Sequence, residues 1–544
     1  VIQAGATFAM PPHPDLAQRV RAGEVAVPAC DRDLAMGTPQ PWAHHQRLRP
    51  ASGTAVDTFR ALAILVHYSD AVGATDPTVF DTLLYQVGTG SVRDFYRECS
   101  YGKLDLVTVD LPSATGWLGA PQTAAYYANG EYGLGGSSYP RNARRLVEDA
   151  VAAADASVDF SRYDNDGNGW VDVLMVVHSG PGAEFTGDTA DVWSHKWSIS
   201  PQLRDGVYLA PYTMMPEYWS APGDITIGVF AHELGHGFGL PDLYDTDYSS
   251  RGVGRWSLMA GGAWNGILGS SPAHFDAWCK VQLGFVTPVT PTTSALGVHL
   301  PQVETDSVVY RLWDGGLVAN EYFLVENRQR VGFDASLPAG GLLIWHIDDG
   351  VLSDNDQEWY PGHTSSGHYL VALEQADGLY QLEQNQNQGN GGDPYPGTTN
   401  ARAFNSTTTP GSLGYSGVVS FVTVSNISDS DSLMTADFSV SLASGILEDV
   451  RPQSPVSARN YPNPFNAGTQ IEVNSVRPGP VRVDVYDLLG ARVWSHTSLQ
   501  RAAGPWRILW DGRDETGRPL ASGVYWYRVT MAGTEAHGRM VMIK

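Results

Sequence analysis

Residues 231–245 read AHELGHGFGLPDLYD, and the rest of the chain is best read outward from them. His232 and His236 stand four apart, which puts both imidazoles on one face of a helix, where they can share a metal ion. Glu233 sits beside the first histidine, placed to take a proton from water at that metal and hand it to a leaving amine. Gly237 and Gly239 predict an abrupt helix end, because glycine tolerates the left-handed conformation of a C-terminal cap, and Pro241 cannot continue the helix. A chain turning at Gly239 can bring Asp242 back as third ligand, with His274, Asp245 and Asp276 as substitutes. Two histidines and a carboxylate leave a fourth position for water, which a catalytic zinc needs. The helix is expected over Ile225–Gly237 with Asp224 as its N-cap. Met259, in WSLMAGG, precedes small residues and predicts a tight turn.

The surrounding chain is 544 residues long, enough for three or four domains. Its 34 basic and 58 acidic residues give a net charge of −24, which argues against a nucleic-acid binder needing a basic face. A hydrophobic fraction of 42% excludes disorder throughout, and no apolar run is long enough for a transmembrane helix. The charge is uneven: Gly445–Lys544 carries 12 basic and 9 acidic residues, while residues 1–444 carry 22 and 49. Such a shift marks a module boundary. Three cysteines, Cys30, Cys99 and Cys279, cannot build a disulfide framework. Cys99 and Cys279 lie in apolar, helix-like settings and are expected in the core.

Residues 1–56 are expected to hold a signal remnant and a pro-segment, with a short helical stretch near Leu16–Val25. Ala61–Tyr68 and Val171–Val177 read as buried strands, and Pro140–Ala154 and Pro272–Leu283 as helices, so residues 57–288 form an α/β (α+β) catalytic domain. Short alternating strands predict a β-sandwich over 289–444. A linker over 445–458 then leads to an Ig-like β-sandwich over 459–544, with strands at Pro480–Tyr486 and Gly523–Thr530. The fold class is therefore multi-domain, a mixed α/β domain followed by two all-β modules.

Two further motifs carry chemistry. Asp164, Asp166, Asn168 and Asp172 fall at positions one, three, five and nine of a calcium loop, Trp170 supplies position seven, and Gly169 makes the sharp turn. Position twelve is Met175, so the final ligand of a complete EF-hand is missing. Asp377 and Asp393 are weaker calcium candidates in Asp–Gly-type turns. Cys30 could latch a zymogen by placing a thiolate at the open zinc position; a free thiol is the plainer reading.

With these residues in view, the chain resembles the secreted immune inhibitor A-like metalloproteases, metzincins with a HExxHxxGxxD motif. FRALAILVHYSD, SVRDFYRECSYGKLDL, HELGHGFGLPDLYD and PAHFDAWCKVQLGF carry the likeness, and EYFLVENRQRVGFDASLPAGGLLIWHID resembles the β-domain that follows in that family. The resemblance implies a metzincin-like catalytic domain and an extracellular zinc endopeptidase acting on proteins, with His232, His236 and Asp242 as zinc ligands, Glu233 as base and Met259 in a turn beneath the metal. NYPNPFNAGTQIEV and WDGRDETGRPLASGVYWYRV resemble Ig-like sorting modules of type-nine secretion cargo and hook-cap domains. They imply that secretion machinery or a bacterial cell surface is a partner. Two alternatives stay open: a surface adhesin with a vestigial protease domain, and a zinc amidase acting on cell-wall crosslinks.

Overall fold

The computed structural model describes residues 8–25, 57–351, 355–363, 367–440, 456–466, 468–475, 479–488, 490–500, 504–531 and 534–543. The chain divides into two compact units, Val1–Ala443 and Ser444–Lys544.

The first unit is built on a six-stranded sheet. Its strands are β1 (Phe8–Ala9), β3 (Leu62–His67), β5 (Trp117–Gly119), β6 (Leu174–Pro181), β7 (His195–Arg204) and β8 (Val207–Tyr218). They lie in the order β1-β7-β8-β6-β3-β5. β2 (Asp57–Arg60) and β4 (Leu104–Val107) pair in parallel as a separate ladder. β3 has parallel neighbours on both sides, β5 and β6, and is buried on both faces, which is why its sequence is a continuous apolar run without alternation. β7 runs antiparallel to β8, and β1 adds antiparallel to β7. One face of the sheet packs the helix Ala143–Ala154 through Leu146, Val147 and Val151. The other packs the helix Ile227–Gly237 through Phe230 and Leu234.

Several expected boundaries move: the helix expected from Pro140 begins at Ala143, and the helical stretch expected near Leu16–Val25 runs over Pro14–Arg21. The helix carrying the histidines begins at Ile227 behind Thr226, not Asp224. Asp224 instead accepts N–H bonds from Trp219, Ser220 and Ala221, because a short carboxylate can close the preceding turn as readily as it can cap a helix. The helix expected from Pro272 is confined to Ala277–Gln282, with Asp276 accepting from Cys279 N as its N-cap. The strand expected from Val171 starts at Leu174, since Asp172 is occupied in the turn before it.

Two antiparallel sheets complete this unit. One comprises β10 (Tyr310–Leu312), β11 (Glu321–Arg328), β12 (Gly341–Asp348) and β13 (Val371–Leu373); the other orders β14 (Thr423–Ser425), β15 (Leu433–Ser439) and β9 (Ala295–Pro301). One hydrophobic core runs from beneath the histidine helix (Phe230, Leu234, Met259) into these sheets (Leu324, Ile344, Trp345). The second unit has two antiparallel sheets. In one lie β16 (Val456–Tyr461), β17 (Thr469–Ser475) and β20 (Gly504–Trp510). The other holds β18 (Gly479–Tyr486), β19 (Arg492–Gln500), β21 (Gly523–Met531) and β22 (Thr534–Met542). They close over Ile471, Val483, Trp510 and Val529. β16 opens at Val456, ahead of the expected module start at Arg459; the rest of the expected linker, 445–455, lies outside the described residues.

Candidate active site

The helix Ile227–Gly237 projects His232 and His236 from one face, and the turn after it returns Asp242 to them. The two Nε2 atoms are 3.1 Å apart, and Asp242 Oδ1 lies 3.2 Å from His232 Nε2 and 3.1 Å from His236 Nε2. All three side chains are buried. His232 Nδ1 donates to Leu258 O at 2.9 Å and His236 Nδ1 to Leu240 O at 2.8 Å. With the protons on Nδ1, both Nε2 lone pairs face inward, toward the carboxylate. Two neutral imidazoles and one anion gathered around a point is the donor set that zinc takes, and carbonyls on the far ring nitrogens are its usual support. The residues present therefore fit the metal.

The turns that orient the rings are themselves tied together. Leu258 precedes Met259, whose carbonyl accepts from Leu243 N at 2.7 Å. Met259 Sδ lies so close under the helix that a Cβ on Gly235 would stand 2.6 Å from it. The three substitute ligands are engaged elsewhere. His274 bonds Glu98, Asp245 accepts from Ser249 and Ser250, and Asp276 accepts from Ser257 besides capping its helix.

Glu233 is buried, and neither of its carboxylate oxygens has a hydrogen-bond partner among the described residues. Burial raises its pKa well above the ordinary value, Asp242 and Glu184 add to that, and the nearby Met10 amide opposes it. Burial lowers His232, which keeps the ring neutral and able to ligate.

An extended segment crosses the site. β1 pairs Ala9 with His195, and Met10 N donates to Ser194 O at 3.0 Å. Tyr244 Oη donates to Ala9 O at 2.6 Å, Trp193 Nε1 to Met10 O at 2.7 Å and Trp264 Nε1 to Pro11 O at 2.8 Å. His13 N then donates to Glu184 O at 2.8 Å, and the helix Pro14–Arg21 follows. Sequence reasoning placed residues 1–56 as a pro-segment without assigning 9–13 to the site. The Met-Pro-Pro run was the available signal, since paired prolines hold a chain extended. Cys30 lies outside the described residues.

The candidate calcium loop brings Asp164, Asp166 and Asp172 together, with one carboxylate oxygen of each within 4.8 Å of the others. Gly169 has φ +86°, the left-handed value the turn requires. The Asn168 side chain accepts from Trp170 N, and Trp170 bridges to Tyr208. Burial raises Asp172 to about 6. Met175 is buried in β6 and offers no ligand. Asp393 accepts from Trp256 Nε1 and Asp377 from Leu379 N, contacts of structural turns. Cys99 and Cys279 are free and buried, as expected.

Comparison with known proteins falls on this region. Residues 65–284 match the immune inhibitor A peptidase M6 catalytic domain. Immune inhibitor A of Bacillus thuringiensis subsp. alesti is 37% identical over 212 residues, 34% of this chain and 30% of that protein. The pre-pro-metalloprotease PrtV of Vibrio cholerae serotype O1 is 35% identical over 201 residues, 31% of this chain and 21% of that protein. The chain thus spans under a third of the length of these curated relatives. Among solved structures, FlgD from P. aeruginosa is 23% identical over 16% of this chain and 68% of that one, at a TM-score of 0.13, too low to carry a fold assignment. Among the described residues, no helix is long and apolar enough to cross a membrane.

Proposed function

We propose that the chain is a zinc-dependent endopeptidase that hydrolyses peptide bonds of extracellular proteins, with a metzincin-like catalytic domain. The observation that carries this is the convergence of His232, His236 and Asp242 beside the buried Glu233, whose carboxylate oxygens have no hydrogen-bond partner among the described residues, inside the residues matching the peptidase M6 family. His232, His236 and Asp242 would hold the metal, with the Met259 turn supporting the helix from below. Zinc bound there supplies a Lewis acid that polarises the scissile carbonyl and acidifies water. Glu233 takes the proton from the attacking water and delivers it to the departing amine. A cation bound beside it would offset the cost of its charge and keep the carboxylate ionised as the base.

Residues 8–25 act in this proposal as part of a pro-segment that covers the site until removed. The loop with Asp164, Asp166 and Asp172 holds a structural calcium ion, and the second unit serves export or surface attachment. The single test is casein hydrolysis by the proteolytically activated chain. Activity should vanish with a chelator and return with zinc, and Glu233→Gln should lose at least a thousandfold in kcat with its circular dichroism unchanged. Full activity in Glu233→Gln overturns the proposal.

A further inference from the structure

The segment that crosses the site is held in two different ways. From Ala9 to Pro11 it is gripped by its backbone: Ser194 O takes the Met10 amide, and Tyr244, Trp193 and Trp264 donate to three successive carbonyls. Glu184 fixes this register from both sides. Its carboxylate accepts from Ser194 N at 3.0 Å and Ser194 Oγ at 2.6 Å, and its own carbonyl takes the His13 amide. Such contacts bind any extended peptide and carry no sequence preference, so selectivity must come from the pockets that take side chains.

One of those pockets is built of rings. The His13 imidazole meets Trp264 edge-on, with centroids 5.0 Å apart and planes at 86°, and Phe185 at 5.2 Å and 63°. Trp219 backs both, 4.9 Å from Trp264 and 5.9 Å from Phe185. The imidazole is neutral in this setting: burial lowers its pKa, against the pull of Asp15, and Nδ1 accepts from Asp15 N. Aromatic walls favour a flat ring meeting them edge to face and offer nothing to a carboxylate.

We propose that Phe185, Trp219 and Trp264 form a side-chain subsite of the substrate groove that selects an aromatic or imidazole ring three residues downstream of the residue lying against Glu233. This rests on the endopeptidase proposal, with residues 10–13 tracing the path that a substrate peptide follows.

The experiment replaces residue 13 in the full chain by Phe, Ala and Asp, in the native background and with Phe185→Ala, and follows amide hydrogen exchange over residues 8–16. Phe185 is only partly buried and packs against the core that also holds the histidine helix, so exchange over Ile227–Gly237 checks that its truncation leaves the fold intact. His and Phe should protect the segment equally, His13→Ala should raise exchange about tenfold and His13→Asp further, and the ranking should collapse with Phe185→Ala. Equal protection across the series, or best protection from Asp, overturns the subsite. The activated chain should show the same ranking in kcat/KM for peptides varied at that position. Cleavage without preference there overturns the substrate assignment and leaves the protease standing. Absence of all cleavage with the exchange ranking intact removes the protease and keeps a ring-selective peptide subsite.

Discussion

Gly228, on the helix that carries the histidines, shows how closely the site is built. A Cβ there would run into the Ala263 carbonyl and stand 3.0 Å from Gly269 Cα, both backbone atoms that cannot rotate away. Gly228→Ala should therefore destabilise the first unit by about 2–3 kcal/mol despite its better helix propensity, read as a lower thermal midpoint. A midpoint unchanged or raised would show that the helix can shift without cost. At this scale much of the site was legible, because a four-residue spacing on a helix and a glycine-proline turn are local geometry. His232, His236 and Asp242 come together as that geometry requires. Asp224 was misread for an equally local reason: a cap and a preceding turn ask for the same side chain. The donors that grip residues 9–11 were invisible, since Trp193, Tyr244 and Trp264 meet the segment only after the chain has folded over more than 180 residues.

Among the elements, β11 does more than pair in a sheet. Its Arg328 is fully buried and reaches Asp334 with two bonds of 2.7 Å, while also donating to Trp256 O beside the Met259 turn. Asp334 in turn accepts from His274 N, and His274 O accepts from Leu258 N, the residue whose carbonyl orients His232. Burial pushes the Asp334 carboxyl up, but Arg328 overcomes it and holds the group at about 2. A carboxyl depressed in the folded state contributes stability above about pH 4, and loses it as pH falls through 2, an effect on the order of 2 kcal/mol. Asp334→Asn should thus flatten the fall in melting temperature between pH 4 and pH 2 while lowering stability at pH 7; an unchanged acid limb would refute the pairing. The loop before β6 gives a second expectation. Millimolar calcium should raise the first unit's melting temperature by a few degrees, and Asp164→Ala with Asp166→Ala should abolish that rise. No effect of calcium on the native chain would leave the loop a plain turn. Strand positions were readable from apolar runs, whereas Arg328 in a strand gave no hint of its partners, because a buried guanidinium is defined by groups distant in sequence.

Over the whole molecule, the charge step near Gly445 lies next to the boundary between the two units at Ala443 and Ser444. Each unit has its own core, with Phe230, Ile344 and Trp345 in the first and Val483 and Trp510 in the second. A chain ending at residue 443 should melt within about 2 °C of the corresponding transition in the full chain, by calorimetry. A large drop would mean that the units stabilise each other. Composition could mark this boundary because the modules differ in charge, but it could not mark one at 288, where the apolar core continues without interruption. The grip on residues 9–11 also gives the protein a signal of its own. Trp193 and Trp264 spend their indole N–H groups on the segment's carbonyls, and Trp264 has the His13 ring against it. Departure of the segment hands those indoles to water, so intrinsic tryptophan emission should shift to the red as the groove empties. Opening of the groove can then be timed by fluorescence in unlabelled protein, with no substrate present.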